Sequence, residues 1–270
     1  MSESETTLQS AGGSADAAAD RAADLAGERL RGVAASTDAL LRTVRALDPA
    51  ALAEPSALPG WTRGHVLAHL ARNADSLVNL LDGARTGTDI PQYASEEARD
   101  QGIEDGAGRP PEVQLDDLED THRSFAAAAA KLPGTAWTAS VRHRSGYDFP
   151  AYDIPWKRLM EVEYHHVDLA AGHTPADWPE SFAVAEFRRL AGRLAGAADL
   201  PAVRLVAGDT ADEALIGSAG DAPALTAEGP VRALTAWLSG RSAGDGLLVH
   251  RGGAPLADGP AALPVLPPLG

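Results

Sequence analysis

The chain has 270 residues, of which 44% are hydrophobic, enough to build one large domain or two ordinary ones around a buried core. It carries 23 basic and 38 acidic residues, and the resulting net charge of −15 repels polyanions and argues against nucleic acid as a partner. Because the chain has no cysteine, disulfides, thiolate metal sites and a cysteine nucleophile are excluded, and any thiol chemistry needs a thiol from outside the chain.

The amino-terminal residues have neither a basic start nor an apolar run, so residues 1–18 are predicted to be a disordered leader and not a signal peptide. No later stretch approaches the roughly 18 consecutive apolar residues that a membrane span needs. The sequence therefore predicts a cytoplasmic protein without a membrane partner. It does not fix the oligomeric state, although it is compatible with a monomer.

Four amphipathic helices are predicted within residues 19–178, because apolar residues recur there at intervals of three, four and seven. Their predicted ranges are 20–47, 63–83, 111–133 and 155–171. Thr62 is the predicted N-cap of the second helix. Residues 84–111 contain several glycines and prolines and no sustained period, so we predict a working loop or lid there. Four helices of this length indicate a helical bundle.

A small α+β domain is predicted over residues 179–260. The pattern indicates helices at 180–198 and 230–238 and short apolar strands at 203–207 and 246–249. The proline-rich residues 261–270 are predicted to form an extended tail. The predicted fold class is thus mixed, with a four-helix bundle followed by a small α+β domain.

Two of the predicted bundle helices carry residues that ligate metals in other proteins. Glu161 and His165 are four residues apart and leave the same face of the fourth helix, and Asp168 one turn further on is placed to orient the imidazole. In the second helix, His69 lies about 75° from the centre of the apolar stripe and borders the buried face, whereas His65 points further outward. Facing helices of a bundle can bring such residues together.

The set His69, Glu161 and His165 is the His2Glu group of a catalytic zinc, which leaves one coordination position open. The residues of each helix also have a simpler interpretation. On the fourth helix, a polar stripe that includes Arg158 is typical of a solvated face. On the second helix, His69 is compatible with a core histidine that makes one hydrogen bond. The open position would either activate water or hold an external thiol as thiolate, and spacing does not separate the two. Zinc is the preference of these ligand types, although they accept several divalent ions.

Three segments resemble the mycothiol-dependent maleylpyruvate isomerases, which belong to the DinB-like metal-binding four-helix group. They are LPGWTRGHVLAH at 58–69, PQY at 91–93 with EAR at 97–99, and EVEYHHVDL at 161–169. The resemblance implies a DinB-like bundle with a sterol-carrier-like C-terminal domain, and it implies His69, Glu161 and His165 as the metal ligands. It further implies that Arg99 and Arg241 are catalytic and that mycothiol, a low-molecular-weight thiol, is the cofactor.

What the resemblance implies for the reaction is addition of a zinc-held thiolate to the cis double bond of maleylpyruvate, rotation, and departure of the thiol to leave fumarylpyruvate. Arg99 and Arg241 would clamp the carboxylates of this anionic substrate. Two other functions stay open at this point. One is a zinc-dependent mycothiol S-transferase with the same ligands, which would consume the thiol. The other is a non-catalytic protein whose C-terminal domain binds an apolar ligand and which holds no metal.

Overall fold

The computed structural model describes the backbone of residues 3–218, 220 and 222–268, and the side chains from residue 16 onward within these ranges. The chain divides into two compact units, Met1–Ala171 and Gly172–Gly270. The division falls a little before the predicted boundary at residue 178, because Trp178 is fully buried and packs edge-on against Phe182 of the second unit.

The first unit contains the predicted bundle. Its described elements are α1 (Glu3–Ala46), α2 (Arg63–Thr86), α3 (Glu96–Ala107), α4 (Pro111–Ala130), α5 (Ile154–Asp168) and an antiparallel hairpin of β1 (Ser140–Arg142) and β2 (Asp148–Pro150). Helix α2 packs against α4 and α5, and α1 packs against α5 and α4. Buried aliphatic residues from α1, α2, α4 and α5, such as Leu40, Leu70, Leu118 and Val162, form the core. None of the helices described is both long and apolar enough to span a bilayer.

Helix α1 is longer than predicted. It begins at Glu3, so from residue 3 onward the structure has helix where we expected a disordered leader over residues 1–18, while residues 1 and 2 lie outside the described part. Alanine, the most frequent residue at positions 3–18, has the highest helix propensity even without an apolar period. Apolar periodicity does not reveal this extension, because such a period arises only where a helix has a buried face.

The segment between α2 and α4 is not the long loop that we predicted, because it contains α3. Ser95 caps this helix by accepting a hydrogen bond from the backbone N–H of Ala98 (3.1 Å), and two glutamates in the first turn complement the helix dipole. Two glycines, at positions 102 and 106, hid the helical period from the sequence pattern. One of them, Gly106, lies so close to α2 that a Cβ atom there would be 2.7 Å from the Cβ of Ala68.

We expect Gly106→Ala to lower the free energy of unfolding by about 1–3 kcal/mol, because the overlap with Ala68 outweighs the gain of about 1 kcal/mol in helix propensity. Gly102→Ala in the same helix is the matched control. Its nearest neighbour is the flexible side chain of Arg72, at 3.3 Å, and we expect a change within about 1 kcal/mol. Urea unfolding measures both variants, and equal stability would contradict a close α2–α3 contact.

The second unit is a five-stranded sheet covered by helices. Its elements are α6 (Glu180–Leu194), β3 (Val203–Ala207), β4 (Glu213–Ile216), β5 (Leu225–Gly229), α7 (Val231–Leu238), β6 (Leu248–Arg251) and β7 (Ala254–Pro255). The strand order is β4-β3-β5-β6-β7, and all neighbours are antiparallel except the parallel pair β3 and β5. The apolar residues of α6 and α7, including Phe187 and Trp237, pack with those of the sheet in one core.

The sequence pattern predicted β3 and half of β6 in this unit but missed β4, β5 and β7, which are too short or too polar to show alternation. Where we predicted an extended tail, residues 263–268 have no regular secondary structure. Leu263 and Leu266 nevertheless pack against the core of the unit. These residues therefore form part of the folded unit.

Candidate metal centre

The start of α2 is fixed by a cap that involves a histidine. Thr62 Oγ1 accepts a hydrogen bond from the backbone N–H of His65 (3.4 Å), and His65 Nδ1 accepts one from the backbone N–H of Thr62 (3.2 Å). Histidine here takes the position that glutamate or glutamine usually has in a capping box. Sequence reasoning predicted the cap by Thr62 but assigned no role to His65. Because the helix begins at this point, His69 lies one turn further on.

Arg63 joins the start of α2 to the end of α5. Its Nε donates to the carbonyl oxygen of Leu169 (2.8 Å) and its Nη2 to that of Ala170 (2.9 Å), and such carbonyls at a helix C-terminus lack partners within the helix. The two helices therefore meet with the first turns of α2 beside the last turns of α5. No sequence signal pointed to Arg63, because its partners are backbone atoms distant in sequence.

The three predicted ligand residues meet at this junction. His69 Nε2 lies 2.9 Å from Glu161 Oε2, and His165 Nε2 lies 3.2 Å from the same oxygen. One ligand atom from each residue lies within 4.8 Å of the other two. His69 is 6% exposed, while Glu161 and His165 are half-buried. The structure thus brings the set together from two helices, and its binding of a metal stays a prediction.

The protonation of the set is compatible with metal binding. Burial lowers the pKa of His69, more than its hydrogen bond to Glu161 raises it, so this imidazole is neutral at pH 7. Burial alone would raise the pKa of Glu161, but hydrogen bonds from His165 and His69 hold it well below its usual value. Burial would lower the pKa of His165, yet hydrogen bonds with Asp168 and Glu161 raise it. Because each imidazole ligates through an unprotonated nitrogen, metal binding would compete with protonation of His165.

Asp168 lies next to the imidazole of His165, as the sequence predicted. Its Oδ2 lies 2.9 Å from His165 Nδ1, which leaves Nε2 on the side of Glu161. A carboxylate beside the second ring nitrogen is common where a histidine ligates a metal. Two imidazoles, one carboxylate and this outer carboxylate suit a divalent ion with an open coordination position.

Arg99 lies beside the set, on α3 and not in a loop. Its Nη2 is 3.5 Å from His69 Nδ1, and its Nη1 forms an ion pair with Asp100 (2.7 Å). The side chain is mostly buried, and the contact of Gly106 with Ala68 holds its helix against α2. The structure therefore places this predicted catalytic arginine against one of the three ligand residues.

Arg158 is not part of a solvated stripe, because it is fully buried. Its Nη1 donates to the carbonyl oxygen of Leu70 (2.7 Å) and to Asn73 Oδ1 (2.9 Å), so the buried amide of Asn73 has an interior partner. Burial lowers the pKa of Arg158 to about 10, so the guanidinium stays charged at neutral pH. Its positive charge favours the ionised form of Glu161 one turn further along α5.

Arg241, the other arginine implied by the resemblance, lies in the second unit, just after α7. Gly240, with a φ of +75°, turns the chain, and the backbone N–H of Arg241 donates to the carbonyl oxygen of Ala236 (2.8 Å). Its Nη1 donates to the carbonyl oxygen of Ser239 (2.9 Å). The catalytic role of Arg241 stays a prediction.

The two titratable residues of α5 that the sequence left without a role face α1. Glu163 accepts a hydrogen bond from Ser36 Oγ, and His166 Nε2 lies 2.8 Å from Thr43 Oγ1. Burial raises the pKa of Glu163 to about 7, more than the hydrogen bond from Ser36 lowers it. Both residues therefore connect α5 to α1, on the side away from His69, Glu161 and His165, which we call the ligand set.

We expect Glu163→Gln to stabilise the protein at alkaline pH. The folded state favours protonated Glu163, so the parent loses stability as pH rises from the ordinary pKa of 4.5 to about 7. A neutral glutamine removes this loss, and the variant should exceed the parent by up to about 3 kcal/mol at pH 8 but by little at pH 5. Urea unfolding at both pH values, with a chelator present, measures the difference. A variant no more stable than the parent at pH 8 would contradict the elevated pKa.

The fold and this centre define a class of protein: a helical bundle with a His2Glu set between two facing helices, followed by an α+β unit. Residues 33–170 match the model of the mycothiol maleylpyruvate isomerase N-terminal domain, and the chain belongs to this family. Two solved structures are similar to it, the crystal structure of the mycothiol-dependent maleylpyruvate isomerase and that of a histidine-to-alanine mutant. Each is 28% identical with a TM-score of 0.74, over 83% of this chain and 92% of the other.

This likeness confirms the predicted fold class and the family resemblance. No match is found among curated proteins.

Proposed function

We propose that this protein catalyses the mycothiol-dependent cis–trans isomerisation of maleylpyruvate to fumarylpyruvate. The observation that carries the proposal is the convergence of His69, Glu161 and His165, with Arg99 beside them, in a chain without cysteine. Such a site suits an external thiol and an anionic substrate side by side. Membership of the family and the likeness to the solved isomerase support this assignment.

His69, Glu161 and His165 would hold a divalent ion, and zinc is the ion that two imidazoles and one carboxylate favour. When bound, the metal supplies the Lewis acidity that lowers the pKa of a thiol and keeps its sulfur in the nucleophilic thiolate form. Asp168 contributes by fixing the ring of His165 through Nδ1. Hydrogen bonds from His165 and His69 keep Glu161 ionised, and Arg158 adds a buried positive charge one turn away.

Arg99 provides positive charge for the substrate. Maleylpyruvate has two carboxylates and an oxo group conjugated with its double bond, and formation of a carbon–sulfur bond shifts negative charge onto the oxo oxygen. A guanidinium can bind a carboxylate through two N–H groups and stabilise charge that develops beside it. We assign this role to Arg99 and a second carboxylate contact to Arg241. Addition of the sulfur turns the carbon–carbon double bond into a single bond. Rotation about this carbon–carbon bond precedes cleavage of the carbon–sulfur bond, so the thiol is returned unchanged.

The test is an absorbance assay of maleylpyruvate with and without mycothiol, combined with metal analysis of the purified protein. We expect about one divalent ion per chain, turnover only in the presence of the thiol, and no net consumption of thiol. Metal and thiol binding without isomerisation would identify the S-transferase instead. Turnover without any thiol would overturn the proposed chemistry.

A further inference from the structure

The first unit has a cleft of about 480 Å³, lined mainly by polar residues that the proposed chemistry does not use. We call it the hairpin cleft, because one wall is the β1–β2 hairpin and the other is the segment that leads into α3. The lining residues that matter here are Gln92, Tyr93, Glu96, Arg142, His143 and Arg144. Its volume lies in the range of sites that bind small molecules.

The walls of the hairpin cleft are held together by side chains. Gln92 is buried, and its Nε2 donates to Ser76 Oγ on α2 (3.3 Å) while its Oε1 accepts from the backbone N–H of Arg144 (2.8 Å). Arg144 also forms an ion pair with Glu96 in the first turn of α3 (2.7 Å). Since a buried amide and an ion pair join the two walls, the cleft is formed before any ligand binds.

The lining suits a neutral ligand with many hydroxyl groups better than a dianion. Each guanidinium is matched by a carboxylate, Arg144 by Glu96 and Arg142 by Asp148 (3.2 Å). Burial and neighbouring cations lower the pKa of His143 to about 4, so its ring is neutral and adds no positive charge. A hydroxyl both donates and accepts, and it finds partners of both kinds here, whereas the carboxylates in the same lining would repel a dianion.

The hairpin cleft begins close to the ligand set. Both Gln92 and Tyr93 hydrogen-bond to Ser76, which follows His69 by seven residues on α2. Seven residues are two helical turns, so Ser76 lies on the same face as His69 and about 10 Å further along the helix. On the other wall, α3 starts at Glu96 and carries Arg99 to His69.

We infer that the hairpin cleft binds the pseudodisaccharide of mycothiol, the glucosamine and inositol rings that a cysteinyl arm separates from the sulfur. The inference rests on the proposed function for the identity of the thiol. With the sulfur at the ligand set, the arm spans the two turns between His69 and Ser76, and the rings reach the donors and acceptors of the cleft. The cleft then determines which thiol the protein uses, while Arg99 contacts the substrate.

The test measures binding of S-methylmycothiol, whose blocked sulfur cannot act as a nucleophile, to the full chain by calorimetry after removal of metal with a chelator. We expect binding to the parent and weaker binding, by about 5- to 10-fold for each lost hydrogen bond, to Tyr93→Phe and Arg144→Gln. Arg123→Gln, which removes an exposed, ion-paired arginine of α4, is the matched control and should bind as the parent does. Thermal unfolding verifies that each variant is folded.

A second measurement compares two thiols in turnover. Tyr93→Phe and Arg144→Gln should raise KM for mycothiol and leave the rate with N-acetylcysteine, which lacks both rings, unchanged. Absence of S-methylmycothiol binding to the parent, or equal losses with both thiols, would overturn the inference. The proposed function fails separately, through absent isomerisation of maleylpyruvate by the metal-loaded parent with mycothiol.

Discussion

Glu161→Gln is expected to abolish retention of the divalent metal and to reduce kcat/KM for the thiol-dependent reaction by on the order of 10³-fold or more. The carboxylate lies within hydrogen-bond distance of both His69 and His165, so it is the central member of the set and its only negative charge. An amide of the same shape cannot offset a dication. Losing the metal removes several kcal/mol of charge stabilisation, and each 1.36 kcal/mol corresponds to a factor of ten in rate.

Glu163→Gln is the matched control for this experiment, because it makes the same exchange two residues away on the same helix but on the face toward Ser36. We expect it to keep its metal and its activity. Metal content is read by atomic absorption after gel filtration, and activity by the maleylpyruvate assay. If Glu161→Gln kept stoichiometric metal and near-parental turnover, the assignment of the ligand set would be wrong.

Arg99→Ala is expected to lower kcat/KM by about 10²- to 10³-fold while the metal content stays at the parental level. This is the usual cost of removing one group that stabilises developing negative charge in a water-poor site. Arg99→Lys should recover only part of the loss, because an ammonium cannot form the paired contacts of a guanidinium with a carboxylate. Steady-state kinetics and metal analysis of the same preparations test this prediction.

Arg109→Ala is the control for charge and location. Arg109 follows α3, is exposed and pairs with Asp117 (3.2 Å), so its loss changes the net charge equally without touching the ligand set. We expect its kinetics to match those of the parent. Loss of metal from Arg99→Ala would instead show that this arginine supports His69, whose Nδ1 it approaches, and does not bind the substrate.

The sequence carried enough information to bring the ligand set together because helical phase is a local property. Residues four apart on α5 share a face, and His69 borders the apolar stripe of α2, so packing of the two stripes places all three side chains between the helices. The same logic placed Asp168 next to His165, and in the structure Asp168 Oδ2 lies 2.9 Å from His165 Nδ1.

Two kinds of interaction could not be predicted from the sequence. One is a hydrogen bond from a side chain to a backbone group far away in the chain, and the other is a close contact between helices at a glycine. Arg63 donates to carbonyl groups at the end of α5, and Arg158 donates to the carbonyl of Leu70. Because every residue has a backbone carbonyl, the residue type does not indicate which one is bound. Helix α3 was missed because Gly106 packs through its lack of a side chain and so weakens the apolar period. His65 was placed outward from its phase, yet it serves as a cap because the helix starts beside it.

The contact between Gly106 and Ala68 has a consequence for how this scaffold could diversify. Ala68 precedes His69 directly, so the spacing of the two backbones sets how far the guanidinium of Arg99 stands from the imidazole. A larger residue at position 68 or 106 would move α3, and Arg99 with it, away from α2. His69, Glu161 and His165 would stay in place. Descendants of such a chain could therefore acquire a wider space beside His69 through one helix displacement, without rebuilding the set of His69, Glu161 and His165.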